Sequence, residues 1–240
     1  MKKCTVIIGA LLMGLIFLQA CGSGDDTVSQ MVDSSDEQRV ERLEDVINDS
    51  EVIVKGHFGK YIDKDNMVRD HANPDMPSEN TYTEGHIYEF HIEEVYKGEV
   101  DSTINVMIPY ASEIKVYDEN AKYVGDVMNE STEYKKPDPE ESNILFLNQT
   151  GIKENLYGPG SIPYNIVINK DESIEFVSKR IEGQLEDNVI VEGDSEEAYI
   201  IHEHRDDVPA DVKEEFAVIP DLLNGKTLSD VEELLKKIEQ

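Results

Sequence analysis

Residues 85–98, "GHIYEFHIEEVYKG", set apolar and polar side chains in alternation and stop at Lys97-Gly98. A strand throws successive side chains to opposite faces, so period two marks a half-buried strand and rules out an amphipathic helix. The same texture recurs. "EVIVKGHFGKYI" (51–62) is rich in β-branched residues, and "STINVMIP" (102–109) closes on Pro109. "NILFLN" (143–148) is the most apolar short run of the mature chain and is suited to a central strand. "YNIVI" (164–168) and "SIEFV" (173–177) flank "NKDE" as a hairpin. "EIKVY" (113–117) and "KYVGDV" (122–127) predict an inserted hairpin, and "NVIVEG" (188–193) and "AYIIHEH" (198–204) add weaker strands. The expectation is a mainly β fold, with one antiparallel and mostly closed sheet, a small β-barrel, over residues 51–205.

Two helices should bracket it. Ser35 with Gln38 reads as a capping box, and Val40, Leu43, Val46 and Ile47 mark one face of a helix near 36–48. Near the end, Ser229 with Glu232 repeats the box, and Val231, Leu234, Leu235 and Ile238 predict an amphipathic helix over 229–239. Residues 38–205 thus form a helix-plus-barrel domain, and residues 206–240 a helical C-terminal segment.

The chain opens Met1-Lys2-Lys3 and then runs almost wholly apolar from Thr5 to Leu18, too short to span a bilayer but suited to a secretory signal. Leu18-Gln19-Ala20-Cys21 resembles the bacterial lipobox. That resemblance implies cleavage between Ala20 and Cys21 and a lipid on the Cys21 sulfur. Residues 1–20 are then a signal peptide and 21–37 a polar, acidic tether. The expected location is the extracytoplasmic face of the cell membrane, held by lipid alone. Cys4 leaves with the signal peptide, so the domain folds without a disulfide and C-x-x-C redox chemistry is excluded.

Acidic residues outnumber basic ones 52 to 22, a net charge of −30. Loss of Lys2 and Lys3 makes the mature chain more negative still. Nucleic-acid binding needs clustered Lys and Arg, and this chain repels phosphate polymers and anionic bilayers alike. The scattered acids read as a solvated surface.

Motifs for chemistry are scarce. His202 and His204, two apart, would point to one face of a strand, but the sequence names no third ligand, so no metal or other cofactor is expected. His86 and His91 should face opposite ways, and His57 and His71 stand alone. Asp63, Asp65 and Asp70 are only superficially like a calcium loop: Met67 and Val68 occupy the positions that need an oxygen ligand and a glycine. Nucleophile-elbow, zincin, P-loop and dinucleotide patterns do not occur, and "GPGSIP" (158–163) reads as a loop. Tryptophan is missing from the sequence, and the 11 tyrosines are expected to pack the barrel.

"DSEVIVKGHF", "YEFHIEEVYKG", "INVMIP", "NILFLN" and "YNIVINKDESIEF", in that order over about residues 49–178, resemble a family of exported proteins of Gram-positive bacteria. Glu94-Val95-Tyr96-Lys97-Gly98 and Leu145-Phe146-Leu147 match it closely. "KPDPEESN" lacks the family's glycine and tyrosine, and residues 111–135 look inserted. The resemblance implies a small barrel of the OB or netrin-like type, whose motifs are structural, with Gly98 at positive φ in a turn. The expected function is a non-enzymatic binding or accessory lipoprotein with a protein or cell-wall partner. Recognition should fall on the barrel face and on loops 63–80 and 111–140. The alternatives are an inhibitor-like or protective factor and a wall hydrolase using unmarked carboxylates.

Overall fold

The computed structural model describes residues 40–117, 122–185, 189–191, 197–202 and 212–238. In chain order the elements are α1 (Leu43–Asp49), β1 (Val52–Asn66), β2 (Thr83–Lys97), β3 (Thr103–Tyr117), β4 (Tyr123–Glu130), β5 (Ser142–Gln149) and β6 (Leu156–Pro159). There follow β7 (Asn165–Ile168), β8 (Ile174–Phe176), β9 (Val189–Val191), β10 (Glu197–His202), β11 (Val212–Ala217) and α2 (Leu228–Lys236).

The fold is mainly β. Eight strands form one sheet in the order β1-β2-β3-β6-β5-β7-β8, with β4 on β3, and β1 also pairs with β5 so that the sheet closes in a ring. The apolar run "NILFLN" becomes β5, which pairs with β1, β6 and β7. Ile144, Leu145, Phe146 and Leu147 are all fully buried there. Each such side chain contributes roughly 1.5–3 kcal/mol of apolar burial, which is why a strand with no polar face sits at the junction.

The expectation of one antiparallel sheet over 51–205 is corrected on two points. β3 and β6 run parallel. And β9, β10 and β11 form a separate three-stranded sheet with its own small core of Ala198, Phe216 and Val218. β11 also corrects the reading of 206–240 as helical alone. Its "VKEEFA" carries no alternation that survives the charged residues at its centre, and pairing with β10 overrides its weak strand propensity.

Element ends differ as well. β3 continues through Pro109, which pairs with Gly85 beside a register shift where a missing N–H is tolerated. β1 runs on to Asn66, into the segment expected as loop 63–80, and Gly158 and Pro159 belong to β6 rather than a loop. α1 starts at Leu43 behind the extended residue Arg42, whose side chain makes no cap bond, so the helix over 36–48 is shorter than expected at its start. Ser35 and Gln38 lie outside the described residues. α2 starts one residue early because Thr227 and Asp230, not Ser229 and Glu232, make the reciprocal capping box.

α1 closes one end of the ring. Leu43, Val46 and Ile47 join the main core, and Lys97 donates to the carbonyl of Ile47 at 2.9 Å. In "EVYKG", Tyr96 is buried, Lys97 caps α1, and Gly98 turns at φ 84° against the carbonyl of Glu51.

Candidate binding site

β5 pairs with β1 only over residues 52–56, and β6 meets β3 only at Asn105 and Val106. β1, β2 and β3 run on beyond these contacts as far as Asn66, Glu84 and Ser112. At the end of the ring away from α1, the sheet therefore projects as a shelf. The series Phe90, Tyr88, His86, Glu84 runs along one face of β2, from the apolar core to a largely buried polar end.

His86 is the hub. Its ring stacks on Tyr110 of β3, centroids 4.1 Å apart and planes 13° apart. Tyr61 of β1 and Tyr134, in the segment after β4, meet it edge-on at 5.5 and 5.6 Å. Tyr61 also meets Tyr88 edge-on, and Tyr134 meets Tyr110. Edge-to-face and offset pairs of this kind are favoured by the ring quadrupole. Tyr61, 48% exposed, presents its ring to solvent.

A polar chain threads the rings. Nε2 of His86 lies 2.9 Å from Glu84 Oε1, so that nitrogen carries the hydrogen and donates. Nδ1 lies 3.4 Å from the Tyr134 hydroxyl, which in turn lies 3.4 Å from that of Tyr88. Glu84 also accepts from Lys64 at 2.8 Å and Tyr82 at 3.1 Å. Burial pushes the Glu84 carboxyl upward, but hydrogen bonds from Lys64, His86 and Tyr82 outweigh it and hold the group below its ordinary value. Burial, with the bond from Tyr88, raises the Tyr134 phenol. The cluster thus offers an ionised Glu84 carboxylate and a neutral Tyr134 phenol for hydrogen bonding, beside ring faces for stacking.

A second polar group lies near the α1 end. Tyr96 donates its single hydroxyl hydrogen between Glu94, 3.0 Å away, and Glu232 of α2, 3.2 Å away, while Lys55 donates to Glu232 at 2.8 Å. Lys55 holds Glu232 below the usual carboxylate range, and burial with Glu94 drives the Tyr96 phenol upward. Both carboxylates meet the Tyr96 hydroxyl, Glu232 is held low rather than raised, and its contacts fasten α2 to the sheet. A cleft of about 560 Å³ opens between the β7–β8 turn and the approach to α2, with Asp171, Gln184, Asp221, Asn224 and Lys226 on its rim. Asp171 and Asp221 are occupied with the turns at Ser173 and Leu223.

His202 ends β10 opposite Val212, while His204, Ala20 and Cys21 lie outside the described residues. Among the described residues no group of three or more His, Cys, Asp or Glu could hold a metal ion, and no helix is long and apolar enough to cross a membrane. His86 and His91 do face opposite ways, but His57 does not stand alone. It pairs in register with His91 and lies within hydrogen-bond distance of Glu93 and the carbonyl of Glu141. The tyrosine shelf is not legible in the sequence as a group, because its members come from three strands and a connecting segment. The alternate spacing of His86, Tyr88 and Phe90 is the one signal for it.

No family model matches the chain, and neither a curated protein nor a solved structure matches it.

Proposed function

We propose that this protein is a lipid-anchored, non-enzymatic binding protein of the extracytoplasmic membrane face, and that its shelf takes a neutral saccharide of the cell wall. The lipobox-like Leu18-Gln19-Ala20-Cys21 supports the anchor. The ring closed by β1, β2, β3, β6 and β5 supports a small barrel of the OB or netrin-like kind.

The observation that carries the ligand reading is the exposed Tyr61 ring beside the Lys64–Glu84–His86–Tyr134 chain. Sugars offer a C–H face to an aromatic ring and hydroxyls to its polar neighbours, so aromatic platform and mixed donors and acceptors belong together in such a site. A net charge of −30 disfavours nucleic acid and anionic wall polymers, which leaves uncharged glycan as the fitting class.

The test is sedimentation of the chain lacking residues 1–21 with insoluble polymeric N-acetylglucosamine, an uncharged glycan. Tyr61→Ala and Tyr110→Ala should each weaken capture about tenfold or more, in keeping with the loss of one stacking contact. Equal capture by all three proteins would sink the reading. The anchor is tested separately: Cys21→Ala should abolish lipid labelling in the cell, and undiminished labelling would rule it out.

A further inference from the structure

Asn224 and Gly225 are the one Asn-Gly pair in the sequence. They lie in the turn between Leu223 and Thr227, the cap residue of α2, and both are exposed. Gly225 holds φ at 71°, and a Cβ built on it would meet nothing within 4 Å, so this peptide bond is open on that side. The flanking amides close the turn. Asn224 N donates to Asp221 O at 3.2 Å, and Lys226 N donates to Leu223 O at 2.8 Å. Among the described residues the Gly225 N–H makes no such bond, and the Asn224 carboxamide makes no side-chain bond. Asn148 and Asn169 differ. Their side-chain amides donate to Asp49 O and Ser173 Oγ, each at 3.1 Å.

We propose that Asn224 is a site of spontaneous deamidation. The Gly225 nitrogen gives its proton to solvent base and attacks Cγ of Asn224. The new N–C bond closes a succinimide ring, and the side-chain nitrogen takes up a proton and leaves as ammonia. Water then adds to either ring carbonyl and opens the ring, giving aspartyl or isoaspartyl product. No electrons are transferred, and water is the sole co-reactant. Three features favour the step here: a free carboxamide, a free attacking N–H, and a following residue without Cβ to obstruct the approach. The product places a new carboxylate on the cleft rim that Asp171 and Asp221 already line. The isoaspartyl form also lengthens the backbone by one carbon just ahead of the α2 cap.

The experiment incubates the folded chain lacking residues 1–21 in mildly alkaline buffer at body temperature and follows each asparagine by peptide mapping and mass spectrometry. The peptide holding Asn224 should gain the amide-to-acid mass difference and split into two isomers, while those holding Asn148 and Asn169 stay amidated. Gly225→Ala should slow the conversion, since a methyl group beside the attacking nitrogen crowds its approach to Cγ of the neighbouring Asn224, and Asn224→Gln should remove the product. Asn224 keeping its amide in the folded chain, or Asn148 and Asn169 converting as fast, would overturn the proposal.

Discussion

The ammonium of Lys97 donates at 2.9 Å to the carbonyl of Ile47, so the second strand supplies the cap that closes the C-terminus of the first helix. α1 has no basic residue in its own last turn. A cation there satisfies an orphan carbonyl and opposes the negative end of the helix dipole. Lys97→Met keeps the aliphatic stem and removes the donor. It should cost about 1 kcal/mol in urea unfolding, the ordinary worth of a charged hydrogen bond at a helix end. An unchanged midpoint would show that the contact is incidental.

At the other end of α1, Arg42 has the extended backbone of a cap residue, φ −143° and ψ 149°, but no side-chain cap bond. A hydroxyl in its place would accept from one of the first free amides. Arg42→Ser should therefore raise the melting temperature by about 2 °C, after allowing for the loss of an exposed ion pair to Asp45. A fall in melting temperature would mean that the ion pair matters more than the cap.

Glu232 links α2 to the sheet through Lys55 and Tyr96. Its carboxyl is held down in the folded state, first by the bond from Lys55. A depressed carboxylate stabilises the fold above its unfolded value, about 4.3 for glutamate, and that contribution is lost as pH falls through the lower folded value. Wild type should therefore lose more stability than Glu232→Gln as pH drops below about 5, and the two should converge in stronger acid. Parallel melting curves across that range would contradict the linkage.

Gly98 and Gly183 offer a matched pair of tests. Both hold positive φ, 84° and 80°, but a Cβ on Gly98 would lie 2.7 Å from the Glu51 carbonyl whereas one on Gly183 would meet nothing. Gly183→Ala should cost about 1 kcal/mol of backbone strain, and Gly98→Ala about 1–3 kcal/mol more for the clash. Equal losses, read from unfolding midpoints, would mean that the β2 turn shifts freely.

Arg69 is a partly buried cation, ion-paired to Asp65 at 3.7 Å, whose buried Nε and Nη2 find no hydrogen-bond partner among the described residues. Lys153 meets the same carboxylate at 3.2 Å. Asp65 keeps Lys153 when Arg69 is removed, and replacing a partly buried cation with two nitrogens lacking hydrogen bonds by an apolar side chain of similar length relieves desolvation. Arg69→Met should leave stability unchanged or raise it by about 1 kcal/mol. A loss of that size or more would give Arg69 a structural role its contacts do not show.

Local alternation reports burial on one face, so β2, β5 and the β7–β8 hairpin can be read directly from Ile87 to Lys97, Asn143 to Asn148 and Tyr164 to Val177. It carries no information on which strand lies beside which. The parallel contact of Asn105 and Val106 with Leu156 and Tyr157, and the split of β9–β11 into a second sheet, depend on pairings across the chain. β11 escapes a local reading because Lys213, Glu214 and Glu215 outweigh Val212 and Phe216 in any short window. At the shelf, Tyr61, His86, Tyr110 and Tyr134 are separated by more than twenty residues at each step, and each alone looks like an ordinary core or surface aromatic. Residues 63–80 and 111–140, expected as recognition loops, are in part strand, with β1 reaching Asn66 and β3 and β4 filling 111–117 and 123–130. The shelf rises between the two, with Tyr134 drawn from the second.

β2 spans the domain from α1 to the tyrosine shelf, and His86 stands eleven positions from Lys97, about 35 Å along an extended strand. The chain enters through Val40, which is buried in the main core with α1. A lipid at Cys21 would thus pull on one pole of the molecule and leave the stacked rings at the other, like a lamp on a mast. A ligand of the proposed kind would then be met within the reach of the tether. Shortening the tether within residues 22–37 should cut that reach without touching affinity in solution, so reach and grip become separable quantities.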